Sequence, residues 1–164
     1  MNIIDSLIME FTHEMGNTRK LLERAPEDKF DWTPHEKSMT LGKLASHIAE
    51  LPTWVLATIS MDELVIEPDY KPFLGATSAE VLSTFDEAVA AAQECMPGTT
   101  NEHLMATWKL KMGGEVMFEM PRIVVLRSFV LNHTIHHRGQ FEVYLRMQDV
   151  PLPSIYGPSA DEQG

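Results

Sequence analysis

Residues 122–147, RIVVLRSFVLNHTIHHRGQFEVYLRM, decide the fold. Leu126, Val130, His133, His137, Phe141 and Tyr144 recur at intervals of three and four, which places them on one face of an α-helix. Pro121 suits the first turn of that helix, and Pro151, Pro153 and Pro158 mark a short irregular tail beyond it. A helix this long must bury its apolar stripe against partners, and here the stripe carries two histidines inward.

The partners lie upstream. Ile4, Leu7, Ile8, Phe11, Met15 and Leu22 predict a first helix over about residues 2–24, closed by Pro26. Thr40 is a suitable N-cap for a second helix, with Leu44, His47, Ile48, Leu51 and Val55 on one stripe. Pro52 interrupts that stripe and predicts a kink or a split, since the periodicity runs on to Ile59. Asp62 to Ala76 shows no period and reads as a loop long enough to cover something. Thr77 and Glu80 form a capping-box pattern ahead of a third helix carrying Val81, Phe85, Ala88, Ala92 and Cys95, which stops near Pro97.

Between the third and last helices, apolar residues alternate on both sides of Gly113-Gly114, which predicts a hairpin. A three-residue loop, Gly113 to Glu115, puts Trp108, Leu110, Met112, Val116, Phe118 and Met120 on one face and sets Lys109 opposite Glu119. The expected fold is all-α: a four-helix bundle with a short β-hairpin inserted between helices three and four, forming a single domain over residues 1–164.

Composition narrows the function. Thirteen Lys and Arg against 24 Asp and Glu give a net charge of −11 with no basic run, which argues against a nucleic-acid partner, because phosphate binding needs clustered cations. The one cysteine, Cys95, cannot form an internal disulfide and reads as a small core residue. The N-terminal stretch lacks the basic segment and apolar run of a signal peptide, and no stretch approaches the roughly 18 apolar residues of a membrane span. A cytoplasmic protein with no membrane partner is expected. The eleven methionines read as core filler.

The histidines carry the chemistry. An i, i+4 pair such as His133 and His137 brings two imidazoles within reach of one ion, yet seven histidines in 164 residues supply on the order of 0.3 such pairs by chance. Placement gives the pair weight. Burying an unpartnered imidazole is costly, and His47 joins the pair on the core stripe of another helix. The competing reading is three core histidines bonded to neighbouring polar groups. Three neutral imidazoles suit zinc, nickel or ferrous iron and leave coordination positions open. Such an ion lowers the pKa of bound water toward ~7 and deprotonates a bound thiol. Glu50, one turn after His47, is a candidate base or orienting group. Arg138 is a candidate for a substrate carboxylate or a surface glutamate, and Gln140 is a candidate neighbour of the pair. His136 is offset from the stripe and reads as a flanking residue, whereas His13, His35 and His103 have no partner at ligand spacing.

The string His133-Thr-Ile-His-His137-Arg-Gly-Gln140, with Leu41-Gly-Lys-Leu-Ala-Ser-His47-Ile and the hairpin before the last helix, resembles the DinB-like family, including its YfiT-type branch. The resemblance covers nearly the whole chain. It implies a metal-binding four-helix bundle holding nickel or zinc at His47, His133 and His137, often as a homodimer. It also implies thiol-dependent transferase or isomerase chemistry with bacillithiol, mycothiol or glutathione. The expectation is therefore an ion that activates a low-molecular-weight thiol against a small-molecule substrate, or activates water to give a hydrolase, with Asp62 to Ala76 and the Trp32 segment as pocket walls. The alternative is a non-enzymatic metal- or ligand-binding bundle.

Overall fold

A computed structural model describes residues 2–162. The first helix, α1 (Ile3–Leu22), buries Ile4, Leu7, Phe11, Met15, Leu21 and Leu22, as the periodicity predicts, and of its charged residues Glu14 is buried with them. Pro52 splits the second helix into α2 (Leu41–Glu50) and α3 (Thr53–Ser60). Thr40 caps α2 by accepting the Lys43 backbone N–H at 3.2 Å. Close approach matters at one point of α2: a Cβ on Gly42 would stand 2.8 Å from Phe30 Cβ.

The third long helix, α4 (Ser78–Cys95), begins with the predicted cap, since Thr77 Oγ1 accepts the Glu80 N–H at 3.1 Å. The reciprocal half of the box is displaced by one residue: the Glu80 carboxylate takes the N–H of Ala76, at 2.7 Å. A short helix missed by the periodicity, α5 (Asn101–Met105), follows under a Thr100 cap and buries Leu104. Its five residues span little more than one turn, too short for a period to show.

The all-α expectation is corrected at the sheet. The hairpin strands β2 (Thr107–Met112) and β3 (Glu115–Pro121) are joined by β1 (Glu63–Ile66), which runs parallel to β2 and makes a three-stranded sheet ordered β1-β2-β3. Part of the stretch expected as loop is thus a strand, held by a Lys111–Glu63 ion pair at 2.7 Å and by the burial of one face. The turn is also corrected. Met112 pairs with Glu115 across a two-residue Gly-Gly turn in which both glycines have positive φ, the conformation such tight turns require. A register shift between Leu110 and Lys111 then inserts one extra residue on β3, so Leu110 faces Phe118, Lys109 faces Glu119 and Trp108 faces Met120 as expected. Met112 and Val116 are left exposed.

The last helical run has three parts: α6 (Arg122–Val125), a π-helical segment (Leu126–Asn132) and α7 (His133–Met147). Pro121 sits at the N-cap, as the last residue of β3. In the core, α1 packs on α4 and α7, and α2 packs on the same two helices, while a second cluster of Trp108, Leu110 and Val125 seals the sheet against α3. Buried Arg122 ties the two regions together: it donates to the carbonyls of Thr58 (3.0 Å) and Met61 (3.1 Å) at the end of α3, and to Asp62 at 2.7 Å. No helix among the described residues is long and apolar enough to cross a membrane.

Candidate metal centre

The split at Pro52 and the run into α7 place His47, His133 and His137 in one cluster. Their candidate ligand atoms all lie within 4.8 Å of one another. His133 Nε2 stands 2.8 Å from His137 Nε2 and 3.4 Å from His47 Nε2, so three ring nitrogens of the same kind converge. The three rings are mutually tilted, with centroids 4.6–5.1 Å apart.

What lies behind each ring fixes its proton. His137 Nδ1 faces Gln140 Oε1 at 2.7 Å, and an amide oxygen only accepts, so that nitrogen carries the hydrogen. The His133 ring also faces the Phe129 backbone carbonyl, whose pull on its proton favours a donor on that side. The junction between the π-helical segment and α7 helps to free that carbonyl: in a regular helix it would take the backbone N–H of His133, four residues on, but at this C-cap that N–H points at the Val130 carbonyl, three residues back. With both Nδ1 atoms protonated, assigned here from the acceptors they face, neutral His133 and His137 present bare Nε2 lone pairs to each other across 2.8 Å.

The neutral state is the favoured one. Burial pushes His47 down from 6.5 to about 4, with further lowering by the nearby His137 and His133. His133 is lowered chiefly by burial and by His137, against the Phe129 bond. His137 is lowered chiefly by burial, against the Gln140 bond. Three uncharged imidazoles, two of them with bare lone pairs facing each other, are in the protonation state a divalent cation needs.

The other site candidates separate. Gln140 is the group that orients His137. Glu50 does not reach a histidine ring; it lines a cavity of about 440 Å³ that His47 also borders, and it accepts the Tyr70 hydroxyl at 3.0 Å. Arg138 is turned away from the cluster and buried. It pairs with buried Glu14 at 2.7 Å and donates to the Tyr156 hydroxyl at 2.5 Å, which fastens the C-terminal tail to α1. The expected glutamate partner is present, but inside the protein. His136 touches only the edge of the His137 ring. His13 contacts Asn17, His35 accepts the Lys37 N–H, and His103 donates to the Ile59 carbonyl. Part of the 62–76 stretch does wall the cavity, through Leu64, Val65, Ile66, Tyr70 and Pro72. Trp32 is not among its lining residues and packs edge-on against Tyr144. Tyr70 and the Phe129 carbonyl escaped the sequence reading, the first because it sits in an aperiodic loop, the second because a backbone acceptor has no residue signature.

Comparison with known proteins agrees with this architecture. The chain is 24% identical over 160 residues to YrdA of Bacillus subtilis, an uncharacterised protein, covering 97% of this chain and 91% of that one. A DinB-like protein of Bacillus cereus has the same fold, with a TM-score of 0.74 at 21% identity over 94% of this chain and 98% of its own. The DinB-like protein YjoA of Bacillus subtilis superposes with a TM-score of 0.68 at 18% identity over 92% and 96%. The DinB family model matches residues 2–163, and the chain belongs to the DinB family.

Proposed function

We propose that the protein is a metal-dependent enzyme in which His47, His133 and His137 hold a divalent ion, nickel or zinc, that activates a low-molecular-weight thiol for transfer or isomerisation. The observation that carries the reading is the pair of bare Nε2 atoms facing each other at 2.8 Å. Two lone pairs at that distance repel unless a cation lies between them, and burial disfavours the proton as that cation. Nitrogen-only donor sets suit nickel and zinc, and three protein ligands leave room for a further one. When bound, such an ion supplies Lewis acidity, which lowers the pKa of a thiol or of water.

The chain's own residues do the rest. Gln140 and the Phe129 carbonyl hold two imidazoles in the ligating tautomer, so little reorganisation is needed when the ion arrives. The cavity bordered by His47 gives a second substrate access to the cluster, and Glu50 at its wall offers a carboxylate to accept a proton or orient the incoming molecule.

The test is elemental analysis of protein purified without an affinity tag, beside His47→Ala and His137→Ala. Stoichiometric metal in the wild type and its loss from both variants is expected; retention by either overturns the three-histidine assignment. A cobalt-substituted sample then separates thiol from water, because a coordinated thiol adds a charge-transfer band and water does not. A band with glutathione, bacillithiol or mycothiol supports the transferase reading, and turnover without one supports a hydrolase. Metal without a thiol band or any turnover leaves a non-enzymatic metal-binding protein.

A further inference from the structure

The cavity beside the triad has a composition that selects its occupant. Its volume, about 440 Å³, lies inside the roughly 300–1,000 Å³ range of small-molecule sites. Trp54 and Leu56 of α3 form one wall, and Leu64, Val65 and Ile66 of β1 form the other. Leu56 and Val65 remain 43% and 39% exposed, so apolar surface is held open to solvent on both sides of one cleft, an arrangement that marks a binding surface.

The charge of the lining is one-sided. Of its thirteen residues only Glu50 is a charged side chain, and no Lys or Arg is among them. An anion entering would shed its hydration against apolar walls, find no cationic side chain among them to replace it, and meet the Glu50 carboxylate. The Tyr70 hydroxyl, a lining donor that could offset an anion, is already given to Glu50. A neutral apolar molecule incurs none of these costs and gains from every wall.

We infer that this cavity binds an uncharged, apolar organic molecule beside the histidine cluster and discriminates against anions of the same shape through Glu50. Naming that molecule as the second substrate rests on the thiol-activation reading above; its binding does not. The experiment therefore uses no thiol and reads fluorescence alone.

The probe is N-phenyl-naphthylamine, compared with its sulfonated analogue anilinonaphthalene sulfonate, which has the same rings and adds a negative charge. Saturable binding of one neutral probe per chain is expected, about tenfold or more tighter than the sulfonate. Leu56→Glu and Val65→Glu change exposed positions, so the fold survives, and each should weaken the neutral probe about tenfold or more. Met117→Glu, at an exposed apolar position on β3 outside the cavity lining, should leave binding unchanged. Glu50→Gln should narrow the gap between the two probes. Non-saturable binding, equal affinity for both probes, equal weakening by Met117→Glu, or a gap unaltered in Glu50→Gln overturns the inference. Failure of the thiol reading would appear in the cobalt spectra and leave these isotherms untouched.

Discussion

Lowering the pH should destabilise the metal-free protein between pH 7.5 and 5, and His47 should account for a measurable share. The His47 pKa is depressed in the fold, from 6.5 to about 4, so below 6.5 the unfolded chain binds more protons than the native one. The stability that neutral His47 contributes is complete above 6.5 and is lost as the pH falls toward 4. At pH 5 the full shift corresponds to about 2 kcal/mol. His47 is only half-buried, and solvent screening reduces this to about 1 kcal/mol. His133 and His137 are lowered in the same direction and add to the loss. Urea unfolding of the metal-free wild type and of His47→Gln at pH 7.5, 6.5, 5.5 and 5 isolates the effect, because the carboxyl groups of Asp161 and Glu162, also held low, titrate alike in both proteins. The wild type should lose about 1 kcal/mol more than the variant over that range, or about 2–4 °C in Tm. Parallel pH profiles for the two proteins would refute the claim that burial and the neighbouring imidazoles keep His47 neutral.

Two further perturbations separate the groups that tune the site from those that hold the fold. Gln140→Leu removes the acceptor for His137 Nδ1–H at an exposed position, so metal affinity measured by competition with a chelator should fall about 10–100-fold with the Tm of the metal-free protein nearly unchanged, and Gln140→Glu should restore it. Unchanged affinity in Gln140→Leu would remove Gln140 from any positioning role. Arg138→Ala leaves the Glu14 carboxylate buried without its cation, with the Tyr156 hydroxyl still bonded to it, and should cost about 3–5 kcal/mol by urea unfolding, and a loss under 1 kcal/mol would show that the pair is not the anchor described.

Long elements were legible in the sequence because a stripe of three or more turns repeats its own evidence. Helix α1, the cap at Thr77, the break at Pro52 and the inward placement of His47, His133 and His137 all follow from spacing. Short elements were not. Strand β1 has four residues, and what makes it a strand is the edge of β2 beside it, a partner more than forty residues away along the chain. The turn was misjudged for a related reason. Alternation across the hairpin holds only if no residue is extra, and Met117 is extra, so the apolar pattern suggested a wider loop where the chain uses a tight turn and a bulge. Arg138 shows a third limit: its position beside the ligand pair along the chain says nothing of direction, and one residue on a helix is a rotation of about 100°.

The π-helical segment connects the fold to the site. A continuous α-helix from Arg122 would pair the Phe129 carbonyl with the backbone N–H of His133, in competition with the ring for that oxygen. Where the π-helical segment Leu126–Asn132 meets α7, that N–H turns to Val130, three residues back, which leaves the carbonyl to the imidazole. Gln140 serves His137 in the same way, from the following turn of α7. A core built for stability alone would satisfy these histidines by turning each Nε2 toward a donor or acceptor of its own. In His133 and His137 the outer nitrogens are satisfied and the inner ones are aimed at one another, at a cost in lone-pair repulsion that a shared cation removes. That asymmetry between satisfied Nδ1 and opposed Nε2 in His133 and His137 favours the proposed ligand set over histidines that merely meet in a core.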